Sequence, residues 1–386
     1  MKVKSMTHCL FAGKTFTPLF ILFSLAWQMS ASPIVFEEMG KPLPVPPPRA
    51  MTLADFNDDG RVDLALIVET QGGDTAKKSE VRIYLQENGG FSTAPRVLTT
   101  FPFVANDIAS GDIDGDGKMD LAVDAAKTLF TFFSKERFAT ARKYYDVNEV
   151  SGKPIHITTA FLRQKTSVIV GPVTRIWLGD GKFKAGYISG PENNDNGIVI
   201  PVDVNRDDAL DLAILSKSGD EVRIYYGPFA ACDVKVKDLA SVARLKIPRS
   251  DYLAVGDISG DGMADLVVAS GRETNVFFQA LPMGFPGNSQ RFEIGGKPRL
   301  ADLDGDGVCE LAILCPAKRG IAFFRVERVN GEPSENLLPA GFILCPTAEA
   351  MFGDLDGDGT PELVCHDGKG EIHFYRQPRA TTKKEK

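Results

Sequence analysis

Carboxylates recur along this chain at a spacing that suits a hard cation. The pattern is an acid at position 1, an oxygen donor at 3, and acids at 5 and 9. It occurs six times, with glycine at position 6 in all but one copy. The loops supply Asp55, Asn57, Asp59 and Asp63; Asp112, Asp114, Asp116 and Asp120; and Asp203, Asn205, Asp207 and Asp211. Further along come Asp257, Ser259, Asp261 and Asp265; Asp302, Asp304, Asp306 and Glu310; and Asp354, Asp356, Asp358 and Glu362. Side chains at 1, 3 and 5 converge when the chain turns sharply, which glycine permits; position 7 adds a carbonyl and position 9 returns a carboxylate. Every donor is a hard oxygen and no His or Cys is clustered with them. The expected ion is therefore Ca2+ rather than zinc, at up to six metal sites. The loops at Asp112, Asp302 and Asp354, with four carboxylates each, are expected to bind best. Asp208 stands in the glycine position of the Asp203 loop, and Ser259 is a weaker ligand.

The loops need a scaffold, and the residues beside them describe it. Position 2 is apolar in all six (Phe56, Ile113, Val204, Ile258, Leu303, Leu355), and position 10 is always leucine (Leu64, Leu121, Leu212, Leu266, Leu311, Leu363). Each loop is thus expected to be stapled into a core at both ends. The intervals between loops are 57, 91, 54, 45 and 52 residues. The long interval predicts a further unit over 155–183, where Ser167–Val170 and Thr174–Gly179 keep the apolar strands but no acidic loop remains. Units of about 50 residues built from four short strands are the signature of a β-propeller. The expectation is an all-β, seven-bladed propeller with four-stranded blades.

Alternating β-branched and aromatic residues mark the third strand of several units, as in Val81–Leu85, Val222–Tyr226 and Glu371–Tyr375. The last unit has no fourth strand of its own. Near the N-terminus, Val35–Pro42 resembles Arg291–Pro298, the outer strand of an earlier unit. Residues 34–39 are therefore expected to complete the last blade, because an unclosed ring would leave an open sheet edge.

Residues 1–32 read as an export signal: Lys2, Lys4 and Lys14, an apolar run from Leu19 to Trp27, then small residues. That run is about nine residues, against about 20 for a bilayer span. The expected organisation is a leader over 1–32, the propeller over 33–378 and a basic tail over 379–386. The destination is secretion, the periplasm or the cell surface. The formal charge of −7 disfavours a nucleic-acid partner. Losing the leader would take it to about −10, and six calcium ions would bring it to about +2, so the acidity is largely local to the loops.

The acidic motifs, with Asp114–Gly117, Asp304–Gly307 and Asp356–Gly359 the most specific, resemble the FG-GAP/VCBS repeats of integrin α-subunit-like propellers. The resemblance implies a seven-bladed propeller, calcium in the loops between first and second strands, and extracellular recognition or adhesion. The unit without a cage departs from it, and so do Glu310 and Glu362 at position 9, where the family pattern has aspartate.

Other constellations are sparse. Cys345 with Cys365 is the preferred disulfide among five cysteines after the leader, with buried free thiols the alternative. His366 and His373 are expected to be interstrand residues rather than metal ligands. No G-x-S-x-G motif or Ser–His–Asp set is present, so no catalytic residues are assigned. The turns opposite the loops carry Lys77, Lys78, Lys127, Arg175, Lys217, Arg272, Lys318, Arg319 and Lys369, which are either ordinary solvated turn residues or a basic ring suited to an anionic ligand. The leading function is a non-catalytic binding or adhesion module for an extracellular protein or polysaccharide. The rivals are a polysaccharide-active enzyme, or a structural part of an envelope assembly.

Overall fold

The second strand of each repeat is a continuous apolar run rather than an alternating one, as expected of a strand covered on both faces. Asp120–Ala125, Asp211–Ser216, Asp265–Ala269, Glu310–Cys315 and Glu362–His366 are buried along their whole length. The position-10 leucine pairs across to an aromatic ring on the third strand in all six loop-bearing repeats. The pairs are Leu64 with Tyr84, Leu121 with Phe132, Leu212 with Tyr225, Leu266 with Phe277, Leu311 with Phe324 and Leu363 with Tyr375. Such cross-strand pairs fix register, because a one-residue slip would turn the whole set to the other face.

The structure, a computed structural model, describes residues 33–378 apart from loop segments that fall mainly within 146–195 and 228–241. The leader and the basic tail lie outside the described residues. The chain forms a β-propeller in which each acidic loop joins the inner strand of a sheet to the second. In the repeat that holds Asp112, the strands in order are Ala105–Gly111, Asp120–Ala125, Thr128–Phe132 and Ala141–Tyr145. No helix among the described residues is long and apolar enough to cross a membrane.

The expected blade number is corrected. Among the described residues six blades are present, not seven; five are four-stranded, and in the last two short N-terminal pieces share the outer edge. The acid-free unit instead forms a five-stranded sheet, Ile155–Thr158, Ser167–Val170, Thr174–Leu178 and Lys184–Ser189, extended by Val234–Lys235. That last strand joins in parallel and comes from the neighbouring repeat, between its third strand Glu221–Tyr225 and its outer strand Val242–Lys246. Where the repeat pattern weakens in sequence, the edge recruits a strand from next door, which covers groups that would otherwise be unpaired.

The core lies in the seams between sheets. One cluster joins Ile67 and Val81 to Ile108 and Val123 of the next blade, and another joins Val276 and Phe278 to Leu311 and Phe324. A third joins Leu64 and Tyr84 of the first blade to Val364 and Phe374 of the last, which closes the ring. Inner strands crowd where they meet. A Cβ on Gly353 would lie 2.8 Å from Leu53 Cδ1 of the adjoining blade, so glycine there permits the close approach.

The N-terminal segment completes the last blade as expected, though in two short pieces. Glu37–Glu38 and Leu43–Pro44 both pair antiparallel with Glu371–Arg376. Just before them, Ile34 N–H donates to Ala340 O at 2.8 Å, so the segment also stitches the outer strand of the preceding blade. Leu43 and Val45 are each 3% exposed within the closing seam. Removing a buried leucine side chain costs about 2–5 kcal/mol. Leu43→Ala should therefore lower the unfolding free energy by about 2–4 kcal/mol in urea titration; a loss under about 0.5 kcal/mol would show that the segment does not hold the ring.

Candidate metal centre

Each loop is organised first by the backbone. The position-1 carboxylate accepts N–H groups from positions 5 and 6. Asp112 does so from Asp116 and Gly117 at 3.1 and 2.9 Å, and Asp354 from Asp358 and Gly359 at 3.1 and 2.9 Å. Asp55, Asp203 and Asp302 repeat this geometry. Asp257, like Asp302 and Asp354, accepts the position-4 N–H, from Gly260 at 2.6 Å, but in its loop the Ser259 N–H turns to Asp265. Position 6 has positive φ in every loop, including Asp208 at 62° in place of glycine. Position 4 is also left-handed, at 63° for Asp58, 59° for Arg206 and 74° for Gly357. The sequence reading passed over that second constraint, although glycines at Gly260, Gly305 and Gly357 announce it.

Position 9 does more than return a carboxylate. One of its oxygens accepts the N–H of position 2 in all six loops, at 3.0 Å for Asp63 and Asp120, 2.9 Å for Asp211 and Asp265, 2.7 Å for Glu310 and 2.6 Å for Glu362. In four blades the other oxygen accepts a backbone N–H from the chain leaving the third strand. The donors are Gln86, Ser134, Gly227 and Gln279, at 2.7–2.9 Å. In the Asp302 blade Arg325 Nε replaces that donor, at 2.9 Å from Glu310 Oε1. These carboxylates are buried, and burial pushes them upward: to about 7 for Asp120 and Glu310, and about 6 for Asp211 and Asp265. At Asp120 the nearby Asp114 and Asp116 add to the rise. A carboxylate so placed gives up its proton less readily than a free one, and a nearby cation would favour its charged form.

The remaining ligand candidates separate into two groups. Carboxylate oxygens of Asp112, Asp114 and Asp120, of Asp302, Asp304 and Asp306, and of Asp354, Asp356 and Glu362 lie within 4.8 Å of one another. These are the three loops expected to be strongest. In the Asp55 and Asp203 loops the asparagine satisfies its neighbour instead: Asn57 Nδ2 donates to Asp59 and Asn205 Nδ2 to Asp207, each at 3.0 Å. In the Asp257 loop the hydroxyl of Ser259 is buried with no hydrogen-bond partner, an orphan that a cation beside Asp257 and Asp261 would satisfy. The donor set throughout is oxygen, which fits calcium.

Several contacts escaped the sequence reading. Gln86 Nε2 donates to Leu355 O at 2.8 Å, Gln279 Nε2 to Val204 O at 3.0 Å and Ala264 O at 2.8 Å, and Gln377 Nε2 to Leu303 O. In each case a glutamine leaving the third strand reaches the position-2 carbonyl of the preceding loop-bearing blade. A fourth group, Asp367, Glu371 and His373, also lies within 4.8 Å, and His373 Nδ1 is 2.7 Å from Glu38 Oε1 on the closing strand. The preferred disulfide is not formed. Cys345 and Cys365 are buried free thiols, and their mutual hydrogen bond, with burial, pushes the Cys365 thiol upward. They fill the seam as small apolar groups. Cys232 lies outside the described residues. On the face opposite the loops, Lys78, Lys217, Arg272, Lys318, Arg319 and Lys369 occupy or flank the turns between second and third strands, while Lys77 pairs with Glu69 at 2.9 Å. Lys127 and the side chain of Arg175 lie outside the described residues.

Gln279 is 1% exposed, and truncating it removes the side-chain donor from Ala264 O and leaves Val204 O with only the Ala264 N–H at 3.4 Å. Gln279→Ala should cost about 1–3 kcal/mol in denaturant unfolding. An unchanged midpoint would mean that the amide does not lock the two blades.

Comparison with known proteins agrees with this geometry. Residues 55–123, which span the first two acidic loops, match the model of the FG-GAP-like repeat. No curated protein matches the chain. The solved Tc holotoxin pore of Photorhabdus luminescens aligns with 82% of this chain at 14% identity and a TM-score of 0.39, and the chain spans 17% of that protein's length. The chain is a β-propeller whose acidic loops each join the first and second strands of a blade, and its residues 55–123 are similar to the FG-GAP-like repeat.

Proposed function

We propose that this protein is an exported, calcium-stabilised propeller that acts as a non-catalytic binding or adhesion module for an extracellular protein or polysaccharide. The fold supports a binding module in general, and the leader at residues 1–32 supports export. The observation that carries calcium is the convergence of carboxylate oxygens beside a buried position-9 acid. Calcium would be held by positions 1, 3 and 5, the position-7 carbonyl and position 9, and it would supply the positive charge that those buried acids need. A structural rather than chemical role follows from what the raised acids already do: Asp120, Asp211 and Asp265 each accept backbone N–H bonds on both oxygens.

Extracellular calcium modules bind at about 10⁻⁴–10⁻³ M. At millimolar calcium a 10⁻⁴ M site adds roughly 1.4 kcal/mol of stability. The melting temperature should rise by many degrees from chelator to millimolar calcium, with the rise reduced by Asp354→Asn. No shift at any calcium concentration would sink the calcium reading.

The ligand proposal rests on the basic turns opposite the loops. The triple variant Lys318→Ala, Arg319→Ala, Lys369→Ala should weaken binding to an anionic polysaccharide, measured by surface plasmon resonance, several-fold without changing the melting curve. Binding unaltered by the triple change would remove the anionic ligand. Release of reducing ends from a polysaccharide by the purified protein would replace this reading with its rival, a polysaccharide-active enzyme.

A further inference from the structure

The Asp302 loop has one of the most complete acidic motifs in the chain, yet its surroundings differ from those of the others. In the Asp55, Asp112, Asp203 and Asp257 blades the residue after the aromatic on the third strand is Leu85, Phe133, Tyr226 or Phe278, and the chain then gives a backbone N–H to position 9. In the Asp302 blade the corresponding residue is Arg325. The third strand there does not end: Gly320–Val329 runs on and pairs with Glu332–Leu344, with Val326 opposite Leu337. Its backbone stays committed to that ladder, so the second donor to position 9 has to come from a side chain.

The position-9 residue matches this change. Glu310 has one methylene more than aspartate, keeps the 2.7 Å bond to Leu303 N–H, and brings its other oxygen to 2.9 Å from Arg325 Nε. Arg325 Nη2 lies 3.0 Å from Asp304 Oδ2, and Arg328 pairs with Asp306. Guanidinium groups thus reach positions 3, 5 and 9, and Asp302 is met by the N–H groups of Gly305, Asp306 and Gly307. Arg325 has a side-chain exposure of 16%, against 46% for Lys135, which pairs with Asp114 in the Asp112 loop. Lys135 can swing into water. Arg325 is fixed between two strands, always charged, and less strongly hydrated than an ammonium group.

We propose that the Asp302 loop carries its own cation: Arg325, assisted by Arg328, fills the place that calcium takes in the other acid-rich loops. This rests on the calcium reading above and removes one of its six sites. Calcium could enter only by breaking the two charged hydrogen bonds that the part-buried Arg325 makes to Asp304 and to the buried Glu310, which weakens binding there by about a hundredfold or more. The Arg376 of the last blade does not play this part, because its Nε is 2.9 Å from Glu37 Oε1 on the closing strand.

The test counts calcium per chain on the protein without its leader, by equilibrium dialysis at 1 mM calcium and elemental analysis. Asp304→Asn should lose no calcium, Asp356→Asn should lose one, and the pair Arg325→Met, Arg328→Met should gain one. Loss of a calcium in Asp304→Asn, or no gain in the arginine pair, overturns the proposal and leaves the calcium reading standing. If the wild-type chain binds none, the calcium reading fails, and a double-mutant cycle in chelator decides the arginine on its own. Arg325→Met and Glu310→Gln should then show non-additive losses of stability; additive losses overturn it.

Discussion

The buried carboxylate at position 9 is the interaction on which this architecture turns. Asp63, Asp120, Asp211 and Asp265 each join three pieces of chain: their own second strand, the start of the acidic loop through the position-2 N–H, and the exit of the third strand. An aspartate is short enough to do this only if all three lie within one hydrogen-bond length of it. The apolar position-2 residue and the position-10 leucine hold that spacing, and the leucine in turn rests on an aromatic partner across the sheet. The same burial that makes the joint firm penalises its charge. A cation beside it would offset that cost.

From this joint the ring is assembled by seams rather than by a single central core. Each cluster of buried side chains spans two neighbouring blades, so no blade covers its own faces. Polar contacts follow the same logic. The glutamines at Gln86, Gln279 and Gln377 tie a blade to the loop of the one before it, and the chain end that begins at Ile34 ties the last two blades together. The acid-free sheet is where a strand is borrowed from the next repeat.

Loops that share a motif are not chemically equivalent. Asn57 and Asn205 supply an N–H donor to the acid at position 5, Ser259 leaves a hydroxyl unpartnered, and Arg325 bridges Asp304 and Glu310. The difference in each case lies in where positive charge or a donor comes from, because a set of converging oxygens without one repels itself. What a third strand does after its aromatic residue therefore decides the loop chemistry of its own blade. That couples the length of a hairpin to the charge balance of its loop.

The acidic loops, the apolar positions 2 and 10, the four-strand repeat and the closing N-terminal strand were all legible in the residues themselves. Each rests on local chemistry: carboxylate spacing, turn-permitting glycine, alternation, and a strand that matches an earlier one. Tertiary structure alone decided the rest. The parallel strand Val234–Lys235, the glutamine locks and the arginine beside Glu310 join residues far apart in the chain, and a repeat pattern carries no information about which neighbour a side chain reaches. The free thiols of Cys345 and Cys365 belong to the same class, since covalent pairing depends on geometry that composition cannot give. The double role of position 9 was hidden for another reason. Its spacing announces a ligand, but its burial, and so its work as a joint, appears only when the neighbouring blades close over it.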